Sequence, residues 1–143
     1  MKCIKWKILI ITCFVGLLPI FLGLAVWDSL PEKMAIHFNF YNEPDNFASK
    51  GFTVFGLPLL MTLIQVFCCI INDVNAHKYV EQPKYERFTK WQIPIISIIL
   101  QIVILGYGLG WNIDMRKVAA VIVIIIFLVS GIYIPWFKRN NKK

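Results

Sequence analysis

Four long apolar runs, at residues 8–27, 52–71, 93–110 and 118–137, are separated by short polar segments. A helix rising about 1.5 Å per residue needs about 20 apolar residues to cross a hydrocarbon core of about 30 Å, and each run is close to that length. None contains Asp, Glu, Lys, Arg or His, so no charge would be stranded in lipid. The runs also lack the polar positions at 3.6-residue spacing that mark the wet face of a soluble helix. The pattern predicts an all-α membrane protein, a single domain over residues 1–143 with four transmembrane helices. A compact loop at 28–51 joins the first two helices, and a second loop at 72–92 joins the middle pair. The first run ends at Ala25, Val26 and Trp27 without a small-x-small cleavage site, which predicts a retained anchor rather than a signal peptide.

Charge then orients the chain. With the amino terminus inside, the inner segments hold eleven basic and three acidic residues, and the outer segments hold four basic and five acidic. This bias in short loops is the positive-inside pattern, so a multi-pass membrane protein with both termini in the cytoplasm is expected. The net charge of +7 is thus a topology signal, and no nucleic-acid partner is needed to account for it. Cys3, Cys13, Cys68 and Cys69 all lie outside the outer loops, so no extracellular disulfide is expected. The adjacent pair Cys68 and Cys69 lacks metal-ligand spacing, and no metal or cofactor is expected.

Within the spans the polar groups are modest: Thr12, Thr62, Gln65, Ser97, Gln101 and Ser130. They suit hydrogen bonds between helices better than ion transport, which places ionisable groups at midplane depth. Pro19, Pro58 and Pro94 predict kinks or helix starts. Gly106 and Gly110 form a small-xxx-small pair that would let a neighbouring helix approach closely, in this chain or another. The inner segment KYVEQPKYERFTKW mixes both charge signs with aromatics around Pro83. It reads as an interfacial segment in contact with the lipid bilayer, or as a docking site for a cytoplasmic protein.

The loop at 28–51 carries the most varied chemistry. Met34, Ile36, Phe38 and Phe40 alternate with Ala35, His37, Asn39 and Tyr41, a period-two strand signal. Glu43, Pro44, Asp45 and Asn46 then offer turn residues, with Pro at the second position. Ser49 is placed to cap the next helix by accepting from a backbone donor just past Gly51. The loop should therefore be a compact lid.

The string LPEKMAIHFNFYNEPDNFASK resembles the outer-loop signature of the SdpI family of bacterial toxin-immunity membrane proteins and of a wider group of uncharacterised bacterial membrane proteins. The matching positions are Leu30, Pro31, His37, Phe38, Asp45, Ser49, Lys50 and Pro58. Ala35 stands where the pattern commonly has Pro, and Asn42 where it commonly has Gly; Asn is among the residues that tolerate a left-handed turn. The longer C-terminal part of SdpI, with its second, Asn-Pro-containing motif, has no counterpart after Trp111.

Two functions follow from these features. The resemblance implies a factor of the bacterial plasma membrane that intercepts an antimicrobial peptide or toxin at the outer leaflet and, when ligand is present, holds a cytoplasmic repressor at the inner loop. Phe38, Phe40, Tyr41 and Phe47 beside Asp28, Glu32, Glu43 and Asp45 suit a cationic amphipathic ligand. Pro31, His37, Phe38, Glu43, Asp45, Ser49 and Lys50 are the candidate ligand-binding or loop-structuring residues. The alternative is an accessory subunit of a membrane transporter or sensor complex, packed through the glycine-bearing third span. An enzyme is not expected: His37 with scattered carboxylates forms no metal or nucleophile constellation.

Overall fold

A computed structural model describes the backbone of residues 4–75 and 83–140 and the side chains of residues 4–74 and 87–128. The chain divides into two compact units, Met1–Ile113 and Asp114–Lys143. In the first, α1 (Trp6–Leu17) and α2 (Pro19–Ala25) follow one another, and a 3-10 turn (Trp27–Ser29) leads to a hairpin of β1 (Lys33–Phe38) and β2 (Pro44–Ser49). A π-helical turn (Phe52–Gly56) then opens α3 (Leu57–Asn75), and α4 (Pro83–Gly108) completes the unit. The second unit is built on α5 (Met115–Asn140).

Among the described residues, three helical stretches are long and apolar enough to cross a membrane: Trp6–Ala25, Phe52–Val74 and Arg87–Gly108. α5 covers the fourth expected run as a helix, and its residues Val121 and Val123–Leu128 expose apolar side chains. Asp114 starts it: the Asp114 carboxylate accepts from the Arg116 backbone N–H at 3.1 Å, an N-cap that removes one orphan donor. The Arg116 guanidinium, bonded to the same carboxylate, holds it below the ordinary carboxylate range.

The first unit inverts the soluble pattern. Ile10, Ile11, Phe14, Leu63 and Phe67 are exposed, while Thr12, Thr53, Gln65, Ser97 and Gln101 are buried. Apolar surface of this extent is stable only against lipid or a partner. Two of these buried side chains, Gln65 and Gln101, donate hydrogen bonds between helical elements. Gln65 Nε2 donates to Thr12 Oγ1 of α1 at 2.9 Å and to the Lys90 carbonyl of α4 at 2.7 Å, so one amide links three helices. At the level of the π-helical turn, Gln101 Nε2 of α4 donates to the Thr53 carbonyl at 3.0 Å. A π turn widens the helix and loosens its own ladder, and this side-chain donor occupies a carbonyl there.

Pro19 separates α1 from α2 because it supplies no N–H, yet Leu18 keeps helical angles (φ −54, ψ −35), so the two behave as one span. Pro94 lies inside α4.

The segment between the second and third spans differs from the expected loop 72–92. Its start continues α3 to Asn75 and its end belongs to α4 from Pro83; residues 76–82 lie outside the described residues. Pro83 opens a helix, a position where its fixed φ and missing N–H cost nothing. More consequentially, Asp73 and Lys90 are buried, 5% and 2% exposed, and form an ion pair. The Asp73 carboxylate also accepts from the Lys5 backbone N–H at 3.2 Å. A carboxylate is unfavourable near the C-terminal end of its own helix, but here the ammonium and the N-terminal amide of α1 neutralise it. One ion pair and one amide therefore tie α1, α3 and α4 together at the end opposite the hairpin.

Candidate functional site

The hairpin forms because two strand-compatible segments are joined by a turn that Asn39 builds. The Asn39 side-chain oxygen accepts from the backbone N–H groups of Tyr41 at 2.9 Å and Glu43 at 3.0 Å. Its carbonyl accepts from the Asn42 N–H at 3.0 Å, and its own N–H donates to the Glu43 carbonyl at 2.9 Å. Asn42 has φ +64, the left-handed residue that closes a three-residue hairpin loop. The turn is therefore Phe40–Tyr41–Asn42, not the segment Glu43 to Asn46 that the composition favoured. Glu43 lies at the turn exit, and Pro44–Ser49 is strand. A self-bonding Asn four residues upstream outcompeted the Pro-containing segment, because it satisfies two backbone donors at once.

The alternation expected from Met34 to Tyr41 holds only in part. Met34 is 1% exposed, whereas Phe40 at the turn is 93% exposed. Irregular pairing between Ala35 and His37, and again between His37 and Phe38, re-aims the side chains between these two ends. Met34 packs with Leu30, Val54 and Leu105 in the apolar cluster beneath the hairpin. Phe38 meets Tyr107 of α4 edge-on, with ring centroids 4.7 Å apart. The Asn42 side chain reaches the Ile113 carbonyl at 3.4 Å. The hairpin is thus laid across the end of α4 and fastened at both ends.

Each anticipated residue of this loop has a definite place. Leu30 takes the extended angles that a residue before proline prefers (φ −84, ψ 141), and Pro31 turns the chain into β1. His37 Nδ1 and Asp45 Oδ1 lie 2.6 Å apart across the strands. Glu43 accepts from the Asn39 side-chain amide at 3.2 Å. Ser49 Oγ accepts from the Phe52 N–H at 3.2 Å, the helix cap its position suggested. Lys50 sits between Glu32, 2.8 Å from its carboxylate, and the face of Trp27, 4.8 Å from the ring centroid. Its side chain is only 11% exposed, so Lys50 secures the base of the hairpin and offers little to a ligand.

The glycines of α4 act within the chain. A Cβ on Gly106 would meet the Trp111 ring at 2.4 Å, and Gly110 ends the helix in a left-handed conformation (φ +87). The Trp111 N–H returns to the Gly106 carbonyl and the Gly110 N–H to the Tyr107 carbonyl, the double closure of a Schellman motif. Gly106 and Gly110 thus form parts of a helix stop within this chain. Gly108 makes a second close approach: a Cβ there would meet Met34 Cε at 2.7 Å.

His37 and Asp45 are solvent-accessible, with side-chain exposures of 67% and 42%, so their contact contributes modestly, about 0.2–1 kcal/mol. We expect His37→Ala and Asp45→Ala each to lower stability in detergent by that amount. The double variant should lose less than the sum, because one interaction is removed once; strictly additive losses would show that the two do not cooperate.

Among the described residues, no group of three or more His, Cys, Asp or Glu is arranged to hold a metal ion. What the hairpin presents is an exposed aromatic and acidic tip: Phe40 and Tyr41, 93% and 81% exposed, next to the exposed carboxylates of Glu43 and Asp45. Asn39, which builds this tip, was not singled out from sequence, although an Asn able to bond the backbone two residues on is the composition signal of such a self-bonded turn.

A family model described as a domain of unknown function (DUF1648) matches residues 14–62. The match runs from within α1, through the whole hairpin, into the first turns of α3. No curated protein and no solved structure matches the chain.

Proposed function

We propose that the hairpin end is a receptor surface for a cationic, amphipathic, membrane-active peptide. In this reading the chain is a four-span protein of the bacterial plasma membrane with cytoplasmic termini, and it protects or senses as SdpI-type immunity factors do. The observation that carries the reading is the tip itself. Phe40 and Tyr41 are held out of the fold by a self-bonded turn, although burying aromatics of that size would be favourable. Their neighbours Glu43 and Asp45 would meet the basic face of such a peptide while the rings meet its apolar face. A cytoplasmic repressor, held at the opposite end of the helices when ligand is present, is the partner that the resemblance adds. The competing accessory-subunit reading drew on Gly106 and Gly110, which the helix stop already uses.

The test is survival of a sensitive host exposed to a panel of membrane-active bacterial peptides. Expression should raise tolerance to at least one of them. Glu43→Gln with Asp45→Asn should weaken that tolerance at unchanged protein level, since exposed turn carboxylates contribute little to folding. A cysteine at Asn42, in a chain stripped of its native cysteines, should react with an impermeant thiol reagent in intact cells. Unchanged survival across the panel, with Asn42 labelled, favours the accessory-subunit reading instead.

A further inference from the structure

We propose that the outer edge of β2 is a strand-addition site, where an extended cationic peptide pairs its main chain with the hairpin as a third strand. This rests on the peptide-binding reading above and supplies its geometry. In an antiparallel pair, hydrogen-bonded and non-hydrogen-bonded residue pairs alternate, and the residues of a non-hydrogen-bonded pair direct their N–H and C=O groups away from each other. The Lys50 N–H donates to the Glu32 carbonyl at 2.9 Å, in the same register as the pairs Lys33↔Ser49, Met34↔Ala48 and Ala35↔Phe47. Glu32 with Lys50 and Met34 with Ala48 are therefore the hydrogen-bonded pairs. Ala35 and Phe47, like Lys33 and Ser49, turn their main-chain groups outward.

The two outer edges are not equivalent. On the β1 side Ala35 is 6% exposed and its neighbour Met34 1%, so that edge is covered. On the β2 side Phe47 is 53% exposed, and Asp45, Asn46 and Ser49 are exposed as well. The Ser49 carbonyl is taken by the Thr53 hydroxyl at 3.0 Å, which leaves the N–H and C=O of Phe47 and the N–H of Ser49 directed outward. Sheet edges are commonly guarded by lysine or proline. β2, with the sequence PDNFAS, has no basic residue and keeps Pro44 only at its turn end. Proline there blocks one end of the edge and leaves the rest available.

The occupant follows from the charges beside this edge. Asp45 on the strand and Glu43 at its start are acidic and exposed, so an incoming strand that alternates basic and apolar residues would set its cations against them. Its apolar side chains would meet Phe47, and Phe40 and Tyr41 at the turn. The main chain would supply attraction that does not depend on ligand sequence, and the alternate side chains would supply selectivity.

The probe is a capped eight-residue peptide of alternating lysine and valine, added to the full chain in zwitterionic nanodiscs. Two further versions are N-methylated on the lysines or on the valines, so that each loses the donors of one edge. The unmodified peptide should bind. One methylated version should bind about tenfold more weakly, as expected for one or two lost hydrogen bonds, and the other should be little changed. Phe47→Pro should weaken binding similarly, because it deletes an outward N–H without touching a pair to β1, whereas Phe47→Ala should retain main-chain pairing. Equal binding of all three peptides, or no binding of the unmodified one, overturns strand addition. If all three bind equally and Glu43→Gln with Asp45→Asn still weakens them, the peptide-receptor reading survives with side-chain contacts alone.

Discussion

Alanine at either Asp73 or Lys90 should destabilise the chain by about 3–5 kcal/mol, because each substitution takes the ion-pair partner away from a charge that stays buried. The two side chains are 4% and 1% exposed, so water cannot replace the missing partner at its place in the fold. Asp73→Ala also removes the acceptor of the Lys5 N–H and should be the more damaging of the two. Asp73→Leu combined with Lys90→Met should recover most of the loss, since matched apolar replacement of a buried ion pair is often neutral or stabilising. Unfolding in mixed micelles with increasing denaturing detergent measures all of these variants. Single substitutions costing less than about 1 kcal/mol, the range of an exposed pair, would show that water or lipid headgroups reach both charges.

Met34→Ala should cost about 2–5 kcal/mol of the stability that holds the hairpin on the helices. Met34 is 1% exposed, and its terminal methyl fills the space above Gly108, so truncation opens a cavity in the cluster formed with Leu30, Val54 and Leu105. Limited proteolysis of the hairpin and thermal unfolding in detergent should both register the change. Phe40→Ala is the internal comparison. It removes a larger side chain, but one that is 93% exposed, and should leave stability within about 0.5 kcal/mol while weakening peptide tolerance. Equal destabilisation by the two variants would mean that the tip is buried in the membrane-embedded protein.

The contrast between these residues shows how an unusual division of labour is built into the first unit. Polar and charged side chains hold its helices together at three levels, through Asp73 with Lys90, Thr12 with Gln65, and Gln101 with the Thr53 carbonyl. The principal apolar cluster lies under the hairpin. In lipid, apolar side chains gain little by leaving the bilayer for the protein interior, so close packing and hydrogen bonds carry helix association. The hairpin, packed at the end of the helices, follows a different rule. There the burial of Leu30 and Met34 regains the ordinary hydrophobic driving force.

Length and hydropathy alone located the runs 8–27, 52–71 and 93–110, which overlap the helical stretches Trp6–Ala25, Phe52–Val74 and Arg87–Gly108 that are long and apolar enough to cross a membrane, because the thickness of a bilayer is a one-dimensional constraint. Local chemistry likewise determined the strand tendency around Met34 and the capping role of Ser49, whose partners lie within a few residues. Tertiary structure decided the rest. It fixed the turn at Phe40–Asn42, where the self-bonding of Asn39 is compatible with the contacts of Phe38 with Tyr107 and of Met34 with Gly108. It turned Gly106 and Gly110 into a helix stop, because small residues license close approach without naming what approaches. It also took Asp73 and Lys90 out of the solvated class. A charge beside a span is compatible with water or with a buried partner, and only the folding of α3 against α4 brings the opposite charge within reach.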